Sequence, residues 1–249
     1  MNRRLDQSGV EIINKGKLPL REGVEAYAKL RQVVEKKGLL KRQYGHYLFL
    51  TIFGVGGFLG SWLGVWQLRT WPWVVVWAIL LGFFIVQLGG LVHDAGHRSI
   101  CKSTFWNDVW GYVYAAMAVL SYRQWRDNHN RHHARPNEHG EDPDMGIIFH
   151  AFAKKQLPKK GSLMRWLTRY QVVWFYPLRA LTFASLRIDA IVYFAKKWSV
   201  KLLPEVVVFG LGLVLWFGLP WIILPLFKAI AFVVIANVTA GVYASNIFA

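Results

Sequence analysis

The chain holds a single cysteine, Cys101, in 249 residues. An internal disulfide is therefore excluded, and nothing in the cysteine usage calls for an oxidising compartment. Negative charge is also scarce: 14 Asp and Glu stand against 30 Lys and Arg. The net charge of +16 would fit nucleic acid, but no nucleic-acid motif accompanies it. Charge of either sign is missing altogether from two long stretches, residues 47–68 and 70–92. Histidine is missing from the last third: the eighth and last is His150. There is no secretory signal peptide, no internal repeat and no low-complexity tract.

Hydrophobic residues make up 54% of the chain, high for a soluble domain, and they come in blocks. The run 47–68 would extend about 33 Å as a helix, enough to cross a bilayer core. The run 70–92 is a second span, joined to the first through Arg69-Thr70-Trp71-Pro72-Trp73. Two more spans fit 204–227 and 229–249, with the turn either at Gly218-Leu219-Pro220 or near 225–228. The apolar stretch 109–122 is too short to cross and reads as interfacial or re-entrant. Between 156 and 201, Trp and Tyr alternate with Arg165, Arg169, Arg179 and Arg187, which predicts helices lying on the membrane surface. Residues 24–34 read as a short amphipathic helix, resting on acidic headgroups or lying in solvent.

The fold class that follows is all-α and integral to the membrane: four transmembrane helices in two hairpins, with cytosolic and interfacial helices. Residues 1–45 form a basic N-terminal segment and 46–249 the membrane domain. Segments 1–45 and 98–201 carry 28 of the 30 basic residues, so both are expected on the cytoplasmic side. The turns carrying Arg69 and Lys228 fall on the other side.

Five of the eight histidines lie in two clusters on that cytoplasmic side: His93 and His97 in H-D-A-G-H, and His129, His132 and His133 in H-N-R-H-H. Imidazoles at the mouth of a membrane helix are costly unless they bind something, and neutral imidazole is the commonest metal ligand. Spacings of three and four put each cluster on one helical face, so two facing stripes predict a site for more than one metal. Imidazole suits Zn, Cu, Fe and Ni. A zinc hydrolase is a near match only, since Asp94 stands where H-E-x-x-H needs its Glu base. Asp94, Asp127, Asp142 and Asp144 could orient the histidines from behind. For Asp127 a surface pair with Arg126 or Arg131 is the favoured reading, and turn chemistry could explain Asp142-Pro143-Asp144. His139 is an accessory candidate. His46 reads as interfacial, His150 as structural and Cys101 as a bystander. Trp106, Trp110 and Trp125 either line a channel or anchor the protein in the membrane.

H-D-A-G-H at 93–97, W-R-D-N-H-N-R-H-H at 125–133 and the P-N-E-H-G-E-D-P-D that follows resemble the membrane fatty acid desaturase superfamily. The resemblance covers roughly residues 46–249. It implies a di-iron enzyme that uses O2 and two electrons from an external cytochrome b5 or ferredoxin type donor. The substrate would be a fatty acyl lipid or acyl-CoA, which loses hydrogen from two adjacent methylenes. His93, His97, His129, His132 and His133 would ligate iron. The family's third histidine box, after the fourth span, has no counterpart, so an incomplete C-terminal part is expected. The alternatives are a related acyl hydroxylase and a non-catalytic membrane metal-binding protein derived from a desaturase.

Overall fold

The computed structural model describes residues 4–5, 11–12, 20–146, 151–157 and 161–247. The chain divides into two compact units, Met1–Arg42 and Gln43–Ala249. In the first, β1 (Arg4–Leu5) and β2 (Glu11–Ile12) pair antiparallel, with Arg4 opposite Ile12. Helix α1 (Leu20–Lys36) extends the expected 24–34 segment at both ends. Ion pairs one turn apart, Arg21–Glu25 and Arg31–Glu35, line its polar side. Gly38, at φ 69°, follows as the left-handed residue that ends such a helix.

Every secondary-structure element among the described residues of the second unit is a helix. Helices α2 (Tyr44–Gln67), α3 (Trp71–Gly96), α4 (Thr104–Ala118) and α5 (Tyr122–Ala134) come first. The shorter α6 (Ser162–Arg169), α7 (Gln171–Arg179) and α8 (Thr182–Lys196) follow. Helices α9 (Leu203–Ile223) and α10 (Leu226–Ile247) complete it. Four helical stretches are long and apolar enough to cross a membrane: Tyr44–Gln67, Trp71–Gly96, Val200–Ile223 and Leu226–Ile247. The protein is an integral membrane protein. Of the two turn positions open in the sequence, the later one is used: α9 ends at Ile223, and Pro220 lies inside it.

Helix α3 is the centre of the bundle. Val74, Ala78, Leu81, Ile85, Leu88, Val92 and Ala95 are all buried, at alternating steps of four and three that keep one stripe facing inward. Helix α2 packs antiparallel on it, with Gly54 against Leu88 and Gly64 against Trp77. Helix α10 runs parallel to α3 and offers a small-residue stripe of Ala229, Ala236, Ala240 and Ala244. A Cβ on Gly82 would stand 2.5 Å from the Ala236 carbonyl oxygen, so a glycine is what lets these two backbones approach. On α2, Leu48, Phe49, Ile52 and Leu63 stay largely exposed, a surface suited to lipid rather than water. At one end of the bundle, Lys228 Nζ donates to the Arg69 carbonyl at 2.7 Å, which brings the α2–α3 and α9–α10 turns together.

Two features depart from the sequence reading. Arg187 of α8 does not lie on the surface but is buried among Phe183, Trp216 and Phe217. Its guanidinium donates to Asn237 Oδ1, and burial lowers its pKa to about 10. The rings replace the carboxylate that would otherwise compensate a buried cation. Helix α4 ends at Val119, a β-branched residue in the left-handed region (φ 54°) that costs about 1–2 kcal/mol. Its side chain packs against Gly212 of α9, and the turn aims α5 back across the end of α3.

Candidate metal centre

Each histidine cluster sits at a helix position fixed by local chemistry. His93 and Asp94 are in the last turn of α3, and His97 is its C-terminal cap. Ser121 caps α5, its hydroxyl accepting from the Gln124 amide at 3.2 Å, and sets the phase of His129, His132 and His133. The connection between the boxes is braced by Asp108 of α4. It accepts from Arg98 just after the first box and, on the helix that carries the second, from Arg126 at 2.8 Å and the Tyr122 hydroxyl at 3.0 Å. Burial and the Asp108 carboxylate push the Tyr122 phenol up to about 12.

Ring nitrogens of His93, His97, His129 and His133 lie within 4.8 Å of one another. His129 is the focus: its Nε2 is 3.0 Å from His97 Nε2 and 3.0 Å from His133 Nε2. A ring nitrogen carries either one proton or one lone pair, so His129 Nε2 can make only one of these two hydrogen bonds. Three Nε2 atoms converging in this way are poorly satisfied by each other and well suited to a shared cation. Burial, then the neighbouring imidazoles, lower His129 to about 4, so its lone pair is free of protons near neutrality. Burial and His93 and His133 also lower His97. Trp125 stacks on His129 with centroids 4.5 Å apart. A Cβ on Gly96 would come within 2.6 Å of the Trp125 ring, so this glycine makes room for the ring that seats His129.

His132 does not share that face. Its Nδ1 is 3.1 and 3.0 Å from the two carboxylate oxygens of Asp142 and 3.2 Å from Asp144 Oδ2. The Asp142 side chain is 1% exposed and also accepts the Asn137 and Asp144 amides at 2.7 and 2.9 Å. Burial raises its pKa, but those amides and His132 outweigh it and hold the group below the ordinary carboxylate value. Asp144 goes the other way, raised by burial and by Asp142. With Asp142 saturated by donors, His132 carries its proton on Nδ1 and its lone pair on Nε2. Its ring lies 5.6 Å from that of His133 and 6.3 Å from that of His129. In the first box Asp94 takes the same position behind His93, with Nδ1 to Oδ1 at 3.2 Å, and the Tyr47 hydroxyl donates to Asp94 Oδ2 at 3.2 Å.

The structure thus brings the five clustered histidines together and divides them four and one. Asp127 pairs with neither Arg126 nor Arg131. It accepts from the Tyr193 hydroxyl of α8 at 2.8 Å, which ties α5 to α8 and, with burial, pushes that phenol to about 12. His139 joins neither group of candidate ligands, His46 is exposed at the start of α2, and His150 lies outside the described residues. Trp125 belongs to the centre, whereas Trp106 is half-exposed and Trp110 stacks on Tyr114. Sequence reasoning missed Tyr47, Gly96 and Asp108, though the glycine inside H-D-A-G-H is a visible signal. A cavity of about 260 Å³ between α2, α3 and α10, walled by Leu50, Phe53, Val86 and Leu91, reaches His93 and Asp94. Near it, Gln87 Nε2 donates to the Tyr243 hydroxyl at 2.9 Å.

The chain is similar in sequence to known proteins. A Delta(8)-fatty-acid desaturase of Euglena gracilis is 28% identical over 158 residues, 62% of this chain and 36% of that protein. An sn-1 oleoyl-lipid 12-desaturase of Anabaena variabilis is 33% identical over 96 residues, 37% of this chain and 25% of that protein. A Delta 8-(E)-sphingolipid desaturase of Kluyveromyces lactis is 35% identical over 125 residues, 48% of this chain and 20% of that protein. The matches thus span between a fifth and about a third of these relatives' lengths. No solved structure matches the chain. The fatty acid desaturase family model matches residues 69–249, which takes in both histidine clusters and three of the four long apolar helices, and the chain belongs to the fatty acid desaturase family.

Proposed function

We propose that this chain carries the metal-binding membrane core of an O2-dependent di-iron desaturase acting on lipid acyl chains. The observation that supports this best is the convergence of His97, His129 and His133 Nε2 atoms, a contact that protons alone cannot satisfy. His93, His97, His129, His132 and His133 would be iron ligands. Asp94 and Asp142 would hold His93 and His132 in the tautomer that turns Nε2 towards metal. Iron held there would activate O2 to the oxidising strength that an unactivated C–H bond demands. The relatives are named for desaturating fatty acids, oleoyl lipid and sphingolipid, so an acyl lipid or acyl-CoA is the substrate class.

The residues around the cluster have distinct tasks in this reading. Leu50, Phe53, Val86 and Leu91 wall an apolar path in which an acyl chain can lie beside His93, and they exclude water from it. Trp125 fixes His129 by stacking, and Asp108 clamps the two boxes to each other. The histidine end of the bundle faces the cytoplasm, where the basic segments accumulate, and receives electrons there from a separate cytochrome b5 or ferredoxin type protein. Residues 1–45 form a cytosolic basic segment, and residues 46–249 a desaturase-like membrane domain.

The test combines metal and product. The chain is purified in detergent after expression with iron, and its metals are counted by elemental mass spectrometry. The acyl chains of the expressing membranes are analysed in parallel, with and without O2. Bound iron and a new, O2-dependent double bond are expected. Zinc in place of iron would overturn the reading, and a purely hydroxylated product would replace desaturation by hydroxylation.

A further inference from the structure

A second cavity, of about 230 Å³, lies away from the histidines where α4, α5 and α9 meet. Ala115, Ala116, Val208 and Phe209 form its apolar walls, and Arg123, Lys201 and Glu205 are its charged groups. Glu205 is the informative one. Its side chain is 8% exposed. Oε1 accepts from the Ser121 hydroxyl at 2.8 Å and the Arg123 amide at 3.1 Å. Oε2 is buried with no hydrogen-bond partner; the nearest cation, Arg123 Nε, is 3.7 Å away and donates instead to the Tyr112 hydroxyl at 2.6 Å. A buried carboxylate oxygen without a donor is costly unless a ligand supplies one. The terminal guanidinium nitrogens of Arg123 and the ammonium of the exposed Lys201 have no acceptor among the described residues.

A ligand that completes this cavity needs a cation with N–H donors for Glu205, an anion for Arg123 and Lys201, and an apolar tail for the alanine and Val208–Phe209 wall. Lys201 lies in the single 3-10 turn Val200–Leu202 that leads into α9, three residues after the exposed Trp198, so the cavity opens where a spanning helix enters the bilayer. We propose that it binds a zwitterionic aminophospholipid: primary ammonium on Glu205 Oε2, phosphate on Arg123 and Lys201, acyl chain along α4 and α9. Occupied in this way, it ties the start of α5, and with it the second histidine box, to α9. The inference does not depend on the desaturase reading, because binding requires neither iron nor turnover.

The test titrates the purified chain in detergent with short-chain phosphatidylethanolamine, phosphatidylcholine and phosphatidylglycerol, reading bound lipid by native mass spectrometry. Phosphatidylethanolamine should bind about tenfold or more tightly than either other lipid, as one charge-assisted hydrogen bond to a buried carboxylate would give. Choline offers no N–H, and glycerol no cation. Lys201→Ala should weaken phosphatidylethanolamine and phosphatidylglycerol alike, and Glu205→Gln should bring phosphatidylethanolamine down to the phosphatidylcholine level. Glu205 also holds Ser121, so a second variant guards against misfolding: Ala116→Leu fills the apolar part of the cavity, leaves Glu205 and Ser121 in place and should abolish binding of all three lipids. Equal affinities, tightest binding of phosphatidylglycerol, or binding unchanged by Ala116→Leu would overturn the proposal.

Discussion

Two regions of the histidine centre solve the same problem differently. His97, His129 and His133 are held by packing and by one another, with Trp125 against His129 and no carboxylate bonded to their rings among the described contacts. His132 is held by Asp142, which is itself fixed by two backbone amides and is almost wholly buried. The first arrangement brings three Nε2 atoms to one point, where His129 can hydrogen-bond to only one of the other two. The second leaves one nitrogen free and commits the other. Candidate ligand atoms in the first group are therefore set by ring positions, and in the second by a tautomer.

The largest break in this contrast is His129→Ala. Removing the focus should abolish iron retention by the purified chain, read by elemental analysis, with the helical circular dichroism unchanged; iron retained at the unmodified level would mean that the convergence is not a ligand set. Asp142→Asn comes next. The amide still packs, but its NH2 group can no longer favour the proton on His132 Nδ1, and metal affinity should fall about 10–100-fold in chelator competition. A loss as complete as that of His129→Ala would erase the distinction between the two regions.

Gly96→Ala strikes the packed region alone. The added methyl must displace Trp125, at a cost of about 1–3 kcal/mol, visible as a lower unfolding midpoint in detergent. Trp125→Leu in the same chain should recover part of it; an unchanged midpoint for the single variant would show that the ring moves freely. The smallest effect belongs to Tyr47→Phe, which removes one donor from Asp94 and should weaken metal binding by about 0.5–1.5 kcal/mol. If its effect matched that of Asp142→Asn, the two boxes would be supported equally.

Much of this was legible in the sequence because the signals were local. The charge-free runs located α2 and α3 to within a few residues, and the spacing within each box predicted helices that present imidazoles. The division of the second box was missed although geometry contains it. At about 100° per residue, His133 lies some 40° round the helix from His129 on one side and His132 about 60° on the other, so the three cannot all address one point. What was not legible depends on distant partners. The rings that bury Arg187 include Trp216 and Phe217 of another helix, and the partner of Asp127 is Tyr193. Neither pairing leaves a periodic trace. The choice between the two turns at the end of the chain failed for a related reason: Pro220 looks like a breaker, but a proline inside an apolar helix is tolerated when neighbouring helices surround it.

The parallel pairing of α3 with α10 has a consequence for biosynthesis. His97 and His129 are 32 residues apart in the chain, whereas Gln87 and its partner Tyr243 are separated by 156. At a synthesis rate of about 5–20 residues per second, the two histidine boxes can meet within a few seconds of each other's emergence, while the inward stripe of α3 waits about 8–30 s for its cover. During that interval the small-residue face around Gly82 is open to lipid or to an insertion factor. Newly made chains should therefore pass through a stage in which the imidazoles are gathered and the helix that presents two of the five is still unsheathed.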